Sequence, residues 1–248
     1  MSHPHKQEPD LLGSIFRTGL MLAGLFLLTA ILFPLFQQGN ISGMRRGACQ
    51  SNMKQLGLAL AQYEAGNNNE VPPSVSPTGQ GWRETIYPYV KFVGVYQCPD
   101  DQRNMGKYSP TNLPKSYGAN SLGPGPNGKD RGAFAGPTEK LTTLADFPSP
   151  TQTITLTDMR GGGGADWDMV SPAFLPGTGR RLYAHFPKHW VFEQPPGRVN
   201  CLFMDGHVRG LAPEATLTPM NLWTRDNAPF TGLDLQNAQA ILARAAQE

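Results

Sequence analysis

The sequence lacks the residue patterns that mark zinc ribbons, nucleic-acid surfaces and serine hydrolases. Its three cysteines include no Cys-x-x-Cys pair, so the spacing of a zinc ribbon is absent. Only 16% of the residues are charged, and the formal net charge is +2. Basic residues are adjacent only at 45–46 and 180–181, so there is no basic stripe for nucleic acid. No Gly-x-Ser-x-Gly turn presents a serine nucleophile. We therefore expect neither a nucleic-acid partner nor an enzyme.

The chain contains one long apolar segment, close to its start. Residues 18–36 read TGLMLAGLFLLTAILFPLF and carry no charge. At the helical rise of about 1.5 Å per residue this segment is about 28 Å long, close to the thickness of a bilayer's hydrocarbon core. The sequence therefore predicts a single membrane-spanning helix that holds the rest of the chain at a membrane.

A cleaved signal peptide is the alternative interpretation of this segment. Signal peptides usually have an apolar region of about 7–15 residues that ends in small residues, whereas this one is longer and ends in Phe33, Pro34, Leu35 and Phe36. A retained anchor is therefore the preferred interpretation. Basic residues lie on both sides of the segment, so the charge distribution does not decide its orientation.

The composition beyond the anchor favours one domain with many turns. The chain has 28 glycines and 23 prolines in 248 residues, more than a helical bundle would carry. We predict a disordered tail at 1–10, a membrane helix at 11–38, an amphipathic helix at 41–66 and an α+β domain at 67–248. Gly39 is the predicted break between the two helices. The apolar stripe of the second helix, expected to pack against the domain, is Met44, Cys49, Met53, Leu56, Leu60 and Tyr63.

Local patterns predict further elements in the domain. A short helix is expected at Trp82–Val90, followed by a long glycine- and proline-rich stretch at 99–137. Residues 151–157 alternate and are rich in threonine, which favours a strand. Strands are also expected at 198–203 and 207–211, because the Asp-Gly pair between them is a hairpin signal. A terminal helix is predicted at 235–246, with Asp234 as its N-cap.

Three cysteines permit one internal disulfide and leave one thiol. If the domain lies outside the cytoplasm, Cys49 and Cys98 are the expected pair. Cys201 lies in an apolar segment, and we expect it to be a buried small hydrophobic residue.

From residue 29 onward the sequence resembles a large bacterial family of prepilin-like proteins with a C-terminal signature of His, nine residues and Asp-Gly. The similar segments occur in the family's order and are AILFPLF at 30–36, CQSNMKQLGLALAQYEAGNNNEVPP at 49–73, WRETIYPYVKFVGVYQCPDD at 82–101, KSYGAN at 115–120 and NCLFMDGHV at 200–208. Within them, the residues that fit the family pattern are Asn52, Lys54, Gln55, Pro99, Asp101, Tyr117, Gly118, Asn120, Asn200, Asp205, Gly206 and His207.

The resemblance implies the architecture of type IV pilins and type II secretion pseudopilins. In that α+β fold a long N-terminal helix lies half in the membrane and packs its outer half on an antiparallel sheet with long loops. The resemblance also implies a bacterial inner-membrane protein with its N-terminus in the cytoplasm and its domain in the periplasm. Its expected partners are membrane lipid and other pilin-like subunits or secretion machinery, and no cofactor is implied.

The sequence departs from the family at the site where a prepilin is cut. Alignment on Pro34 places Leu12, Gly13 and Arg17 at this site, so no glycine precedes the cleavage point and arginine replaces the usual glutamate. A charge inside a membrane needs a partner, and Arg17 would repel the N-terminal amine that the glutamate is thought to neutralise. We therefore expect a protein that is not processed as a prepilin and that assembles poorly.

A second departure affects the C-terminal signature. Counting nine residues back from Asp205 reaches Pro195 instead of a histidine. His185 and His189 are the nearest upstream candidates, displaced by an apparent insertion around residues 186–196.

Two weaker hypotheses concern ligands. Asp158, Asp166 and Asp168 flank a glycine loop and offer the oxygen atoms that calcium prefers, although a solvated acidic loop explains them better. Asp205 and His207 could join an upstream histidine in a metal or acid/base site, but turn chemistry is the preferred explanation. The alternative function is thus a membrane-anchored module of the cell envelope that binds calcium or a glycan.

Overall fold

The computed structural model describes residues 11–99, 101, 108–121, 132–136, 140–158, 169–170, 198–232, 235–236 and 238–240. The chain divides into two compact units, Met1–Gly43 and Met44–Glu248. The fold class is α+β, as predicted, with a long N-terminal helix and a mainly antiparallel sheet.

The first unit contains the N-terminal part of helix α1, which is Leu11–Gly66. Within it, Gly13–Phe33 are 21 residues with a mean hydropathy of 2.0 and with none of the segment buried. The hydroxyl groups of Thr18 and Thr29 donate to carbonyl oxygens one turn earlier, at 2.9 and 3.1 Å, which satisfies both donors inside the helix. By length and composition this segment can cross a membrane once, and a signal sequence meets the same criteria.

The break predicted at Gly39 does not occur, because α1 is one helix from Leu11 to Gly66. A glycine in a helix interior costs about 1 kcal/mol relative to alanine. Ending the helix and starting another would cost more, since a new helix must be nucleated. The separate helices expected at 11–38 and 41–66 are therefore continuous.

In the second unit, α1 packs one face against the domain, as the apolar stripe predicted. Cys49, Met53, Leu56 and Leu60 are buried at steps of three or four residues. Met44, which was expected on the same face, is 71% exposed. It precedes Cys49 by five residues, and five steps of about 100° turn it well away from the buried face.

Helix α2, Trp82–Val90, has the bounds that the sequence predicted. Trp82 and Ile86 are one turn apart and both are buried. The helix ends at Lys91, which has a φ of +56° and donates its N–H to the carbonyl oxygen of Tyr87 at 2.8 Å. A 3-10 turn at Val93–Tyr96 follows and leads to Cys98 in the core.

The sheet has five strands in the order β3-β1-β2-β4-β5. All neighbouring pairs are antiparallel except β1 and β3, which pair in parallel through two residues. The strands are β1 (Tyr117–Asn120), β2 (Ile154–Asp158), β3 (Met169–Val170), β4 (Val199–Phe203) and β5 (Val208–Leu211).

Each face of the sheet has its own apolar core. Alternation along β4 sends Leu202 toward the core that α1 shares, and Val199, Cys201 and Phe203 toward the other. The second core is completed by the last residue of β5 and by residues that follow this strand. These are Leu211, Leu222, Trp223, Phe230 and Ala238.

An irregularity in β2 lets this strand serve both cores. The register with β4 shifts between Ile154 and Leu156, as in a β-bulge. Ile154 therefore packs in the second core and Leu156 in the core shared with α1, although residues two positions apart lie on the same face of a regular strand.

The structure differs from the local predictions at β1 and at the start of β2, and it describes only part of the predicted terminal helix. Strand β1 lies inside the glycine- and proline-rich stretch at 99–137, for which the sequence predicted no strand. Its sequence, YGAN, has little strand propensity, and pairing with β2 holds it in place. Strand β2 begins at Ile154 instead of 151, because Pro150–Gln152 form a 3-10 turn. Of the terminal helix, residues 235–236 and 238–240 are helical, and the rest of it with Asp234 lies outside the described residues.

Candidate functional site

The turn between β4 and β5 contains the Asp-Gly pair. The N–H of Gly206 donates to the carbonyl oxygen of Phe203, and the N–H of Phe203 donates to that of His207, both at 2.9 Å. Gly206 has a φ of +87°, in the left-handed region. Met204, Asp205 and Gly206 thus form a three-residue hairpin loop that ends in a left-handed residue. The predicted hairpin around Asp205-Gly206 is present.

Asp205 and His207 interact directly beside this turn. Oδ1 of Asp205 lies 2.5 Å from Nδ1 of His207 and accepts the backbone N–H of the same residue at 3.2 Å. The imidazole stacks on Phe203 with ring centroids 4.2 Å apart. Both polar side chains are about one third exposed, at 31% and 34%. Within the described ranges no third His, Cys, Asp or Glu joins the pair to make a metal site.

A cavity of about 70 Å³ lies between the last turns of α1 and this hairpin. Gly57 permits the close approach of the two elements, because a methyl group at its Cα would lie 2.9 Å from Cδ1 of Leu202. Four residues of α1, one of β2 and five of the hairpin line the cavity. They are Gly57, Leu60, Ala61, Glu64, Thr155, Leu202, Phe203, Met204, Asp205 and Gly206.

Glu64 is the buried acid of this cavity. The residue is 6% exposed, and desolvation raises the pKa of its carboxyl group to about 7. Its backbone carbonyl accepts the N–H groups of Asn67 and Asn69 at 3.1 and 2.9 Å, which fixes the end of α1. Within the described part of the chain its carboxylate has neither a hydrogen-bond donor nor an ion-pair partner.

A disulfide joins Cys49 of α1 to Cys98, the pair that the sequence suggested for an extracytoplasmic domain. Both residues are fully buried, with Cα atoms 4.9 Å apart. Pro99 follows in a turn that is closed by the N–H of Asp101 donating to the carbonyl oxygen of Cys98 at 2.9 Å. Cys201 is the free, buried thiol of β4, as expected, and desolvation raises its pKa well above the usual value.

Of the α1 residues that fit the family pattern, one contacts the domain and two are exposed. Asn52 donates from Nδ2 to the carbonyl oxygen of Gln97 at 2.8 Å, next to the disulfide. Lys54 and Gln55 are exposed on the opposite face. The structure therefore gives Asn52 a structural role and leaves the other two facing away from the domain.

The pattern residues around β1 form hydrogen bonds inside the domain. Asp101 is 3% exposed and accepts the hydroxyl of Ser116 at 2.8 Å. Tyr117 donates its hydroxyl to the carbonyl oxygen of Cys49 at 3.4 Å, and Gly118 pairs with β2. Asn120 donates from Nδ2 to the carbonyl oxygens of Ile154 and Trp223, both at 2.8 Å. These residues tie α1, the sheet and the C-terminal segment together.

Of the three aspartates proposed as calcium ligands, the structure describes Asp158 alone. Asp158 is fully buried in β2, where its Oδ2 accepts the N–H of Asn200 at 3.0 Å and so bridges β2 to β4. Asp166 and Asp168 lie outside the described residues, as do the predicted glycine loop and His185, His189 and Pro195.

The residues that the sequence comparison placed at a prepilin processing site lie in the first turns of α1. Leu12 and Gly13 are helical, and Arg17 is exposed, five residues into the helix's apolar segment. An arginine near the end of such a segment can extend its long side chain toward the membrane surface.

The sequence patterns did not identify two residues of α1 that have specific roles in the folded domain. Gln50 of α1 donates to Oδ1 of Asn200 at 2.9 Å, a side-chain link between α1 and β4. The cavity acid Glu64 follows Leu60 by one helical turn, so it continues the buried stripe. A charged residue at this step of an apolar stripe is the signal that could have identified it.

Comparison with known proteins finds one segment of the chain that matches a family model. Residues 42–91 match the model of a family described as a protein of unknown function, DUF1559 (SBP_bac_10), over about a fifth of the chain. The matched range covers the part of α1 that packs on the sheet, together with α2. No curated protein and no solved structure matches the chain significantly.

Proposed function

We propose that this protein is a membrane-anchored, pilin-like or pseudopilin-like structural or assembly protein that acts through protein–protein contacts. The observation that carries the proposal is helix α1. Its apolar first part is long enough to cross a bilayer, and its last part supplies buried residues to a core on an antiparallel sheet. The family match at 42–91 overlaps the residues that carry the resemblance to prepilin-like proteins.

The proposed location is the bacterial inner membrane, with the sheet domain in the periplasm. The disulfide between Cys49 and Cys98 supports this, because disulfides persist in oxidising compartments and are rare in the cytosol. With the domain outside the cytoplasm, the chain before α1 lies inside it.

The proposal includes a permanent anchor instead of a processed one. Arg17 stands where a prepilin has glutamate, and Leu12 precedes the would-be cut instead of glycine. The test is the intact mass and N-terminal sequence of the protein extracted from native membranes. We expect the N-terminus near residue 1 or 2. A mature N-terminus at residue 13 with a methylated amine would contradict a permanent anchor, and cleavage after the apolar segment would contradict any anchor.

The contacts are proposed to use the face of α1 that points away from the sheet. This face carries Leu58, which is 62% exposed, together with the exposed side chains of Lys54 and Gln55. A photo-crosslinking residue at position 58 should capture envelope proteins with pilin-like N-terminal segments or components of a secretion platform. Leu56 is two positions away and fully buried, so the same probe there is the matched control. Equal capture from both positions, or none from position 58, would contradict an assembly role.

A further inference from the structure

The cavity beside α1 combines apolar walls with a buried acid. Leu60, Leu202 and Met204 contribute carbon-rich surface, and Glu64 contributes the carboxylate. Glu64 is 94% buried and lacks a donor within the described part of the chain. A buried charged group without a partner is costly, so a carboxylate in this position favours a ligand that supplies positive charge.

Two further features make the cavity electronegative. Glu64 lies in the last turn of α1, where the carbonyl ends of the helix favour cations, and this turn contains no basic residue. The other ionisable group in the lining is Asp205, an acid whose Oδ1 already contacts Nδ1 of His207 outside the lining. No lysine, arginine or histidine is among the lining residues, so the lining offers nothing to neutralise Glu64.

The size and chemistry of the cavity restrict the ligand. A volume of about 70 Å³ is well below the roughly 300–1,000 Å³ of sites for cofactors and other small molecules, so a sugar ring or a nucleotide does not fit. Calcium takes 6–8 oxygen ligands, whereas this lining supplies two carboxylates among mostly apolar residues. A slim organic cation with an apolar stem matches both the walls and the acid.

We propose that this cavity binds a primary alkylammonium group, with Glu64 as the counter-ion and the walls of Leu60, Leu202 and Met204 around its methylene carbons. The group is the end of a partner protein's lysine side chain or of a free small amine, since both present the same chemistry. The site is independent of the pilin-like assembly role, because it requires only α1 and the β4–β5 hairpin.

The test uses the full-length protein in detergent micelles, labelled with ¹³C at the glutamate carboxyl carbon. The resonance of Glu64 is assigned by its absence in Glu64→Gln. At pH 8, n-butylammonium should shift this resonance in a saturable manner and lower the apparent pKa of Glu64, whereas equal ionic strength of sodium chloride and equal n-butanol should not. Calorimetry should show that Glu64→Gln weakens butylammonium binding at least about tenfold.

A second pair of variants tests the place of binding without removing the acid. Ala61 is exposed at the rim of the cavity, so Ala61→Leu should narrow the entrance and weaken binding while the Glu64 signal persists. Ala65 is exposed one turn later and does not line the cavity, so Ala65→Leu should bind like the unmodified protein. Equal affinity in the unmodified protein and Glu64→Gln would overturn the proposal, as would a Glu64 signal that responds to calcium and not to butylammonium.

Two ligands distinguish the source of the ammonium group. Nα-acetyl-lysine amide carries peptide groups on its stem, whereas putrescine is a free diamine. Binding of the lysine derivative with an affinity similar to that of butylammonium identifies a protein side chain as the ligand. If putrescine binds and the lysine derivative does not, the ligand is a free small amine. If neither of these two ligands binds, the proposed ammonium site is wrong.

Discussion

At the scale of single residues, Glu64 should make the stability of the domain depend on pH. An ordinary glutamate has a pKa near 4.5, and burial raises that of Glu64 to about 7. The folded state therefore holds a proton that the unfolded chain releases, so the free energy of unfolding falls as pH rises from about 4.5 to about 7. Below about pH 4.5 the free-energy penalty for a charged carboxylate in the folded state is absent, and above about pH 7 this penalty is constant.

Replacing Glu64 with glutamine should remove this penalty. We expect Glu64→Gln to be more stable than the unmodified protein by about 1–2 kcal/mol at pH 8, with a flatter profile between pH 4.5 and 7. Thermal unfolding of the full-length protein in micelles, followed by the fluorescence of buried Trp82 and Trp223, measures this. Glu214→Gln removes an exposed carboxylate and is the control. A loss of stability at pH 8 in Glu64→Gln would show that the carboxylate has a stabilising partner.

The residue scale also shows where the sequence was informative. Cys201 was predicted to be a buried hydrophobic residue from its apolar neighbours alone, and it is fully buried. Gln50 and Asn200 gave no such signal, because a polar residue on a helix and another on a strand look like surface residues until the fold brings them within 2.9 Å. Hydrogen bonds between positions far apart in the chain have no local signature.

At the scale of elements, the β4–β5 hairpin depends on the left-handed conformation of Gly206. Its φ is +87°, which residues with a Cβ adopt at a cost, although no atom would clash with an added methyl group. We expect Gly206→Ala to destabilise the domain by about 1 kcal/mol or more, and Gly206→Asn by less, because asparagine tolerates this region best. Thermal unfolding checks the order of the two variants.

The hairpin prediction has a matched control elsewhere in the chain. Gly47 lies in α1, with a helical conformation and open space around it. Gly47→Ala should therefore stabilise the protein slightly, since alanine is the better helix former. If Gly206→Ala also stabilised the protein, as Gly47→Ala should, the hairpin would not need a left-handed residue at position 206.

Elements with strong local patterns were predictable, and those held by distant partners were not. Helix α2 was found with its bounds because its apolar spacing is clear, and the hairpin because Asp-Gly has a specific turn geometry. Strand β1 was missed because its four residues have weak strand propensity and pair with β2, which lies more than 30 residues later. The break at Gly39 was overpredicted because one glycine costs less than renucleating a helix.

At the scale of the whole molecule, the disulfide gives a testable count of thiols. In protein purified without reductant, we expect no reactive thiol in the folded state, because Cys201 is fully buried. After denaturation one thiol should react, and after reduction and denaturation three should. Three reactive thiols without reduction would contradict both the disulfide and the proposed oxidising compartment.

Loss of the disulfide should weaken the attachment of α1 to the domain. The bond closes a loop of 49 residues, and the Cys49→Ser/Cys98→Ser variant should be less stable by about 2–4 kcal/mol. Guanidinium unfolding without reductant measures this, with Cys201→Ala as a variant that leaves the bond intact. Equal stability of the disulfide variant and the unmodified protein would show that packing alone holds α1.

The overall architecture was the most predictable level, and the candidate site the least. A single apolar segment and a stripe at helical spacing lead directly to a long helix packed on an α+β domain. The cavity was not predictable, because it exists only where the last turns of α1 meet a hairpin that begins about 140 residues later. Its volume depends on Gly57 lying against Leu202, a contact without any local pattern.

The distance in sequence between α1 and its partners has a consequence for biogenesis. Gln50 and Asn200, which bond in the folded protein, are 150 residues apart. At synthesis rates of about 5–20 residues per second, the helix emerges roughly 8–30 seconds before β4 exists to cover it. During that interval the part of its apolar stripe that packs on the sheet is uncovered, and a holdase or the lipid of the proposed membrane can shelter it. Helix α1 is thus made well before the strand that completes its burial.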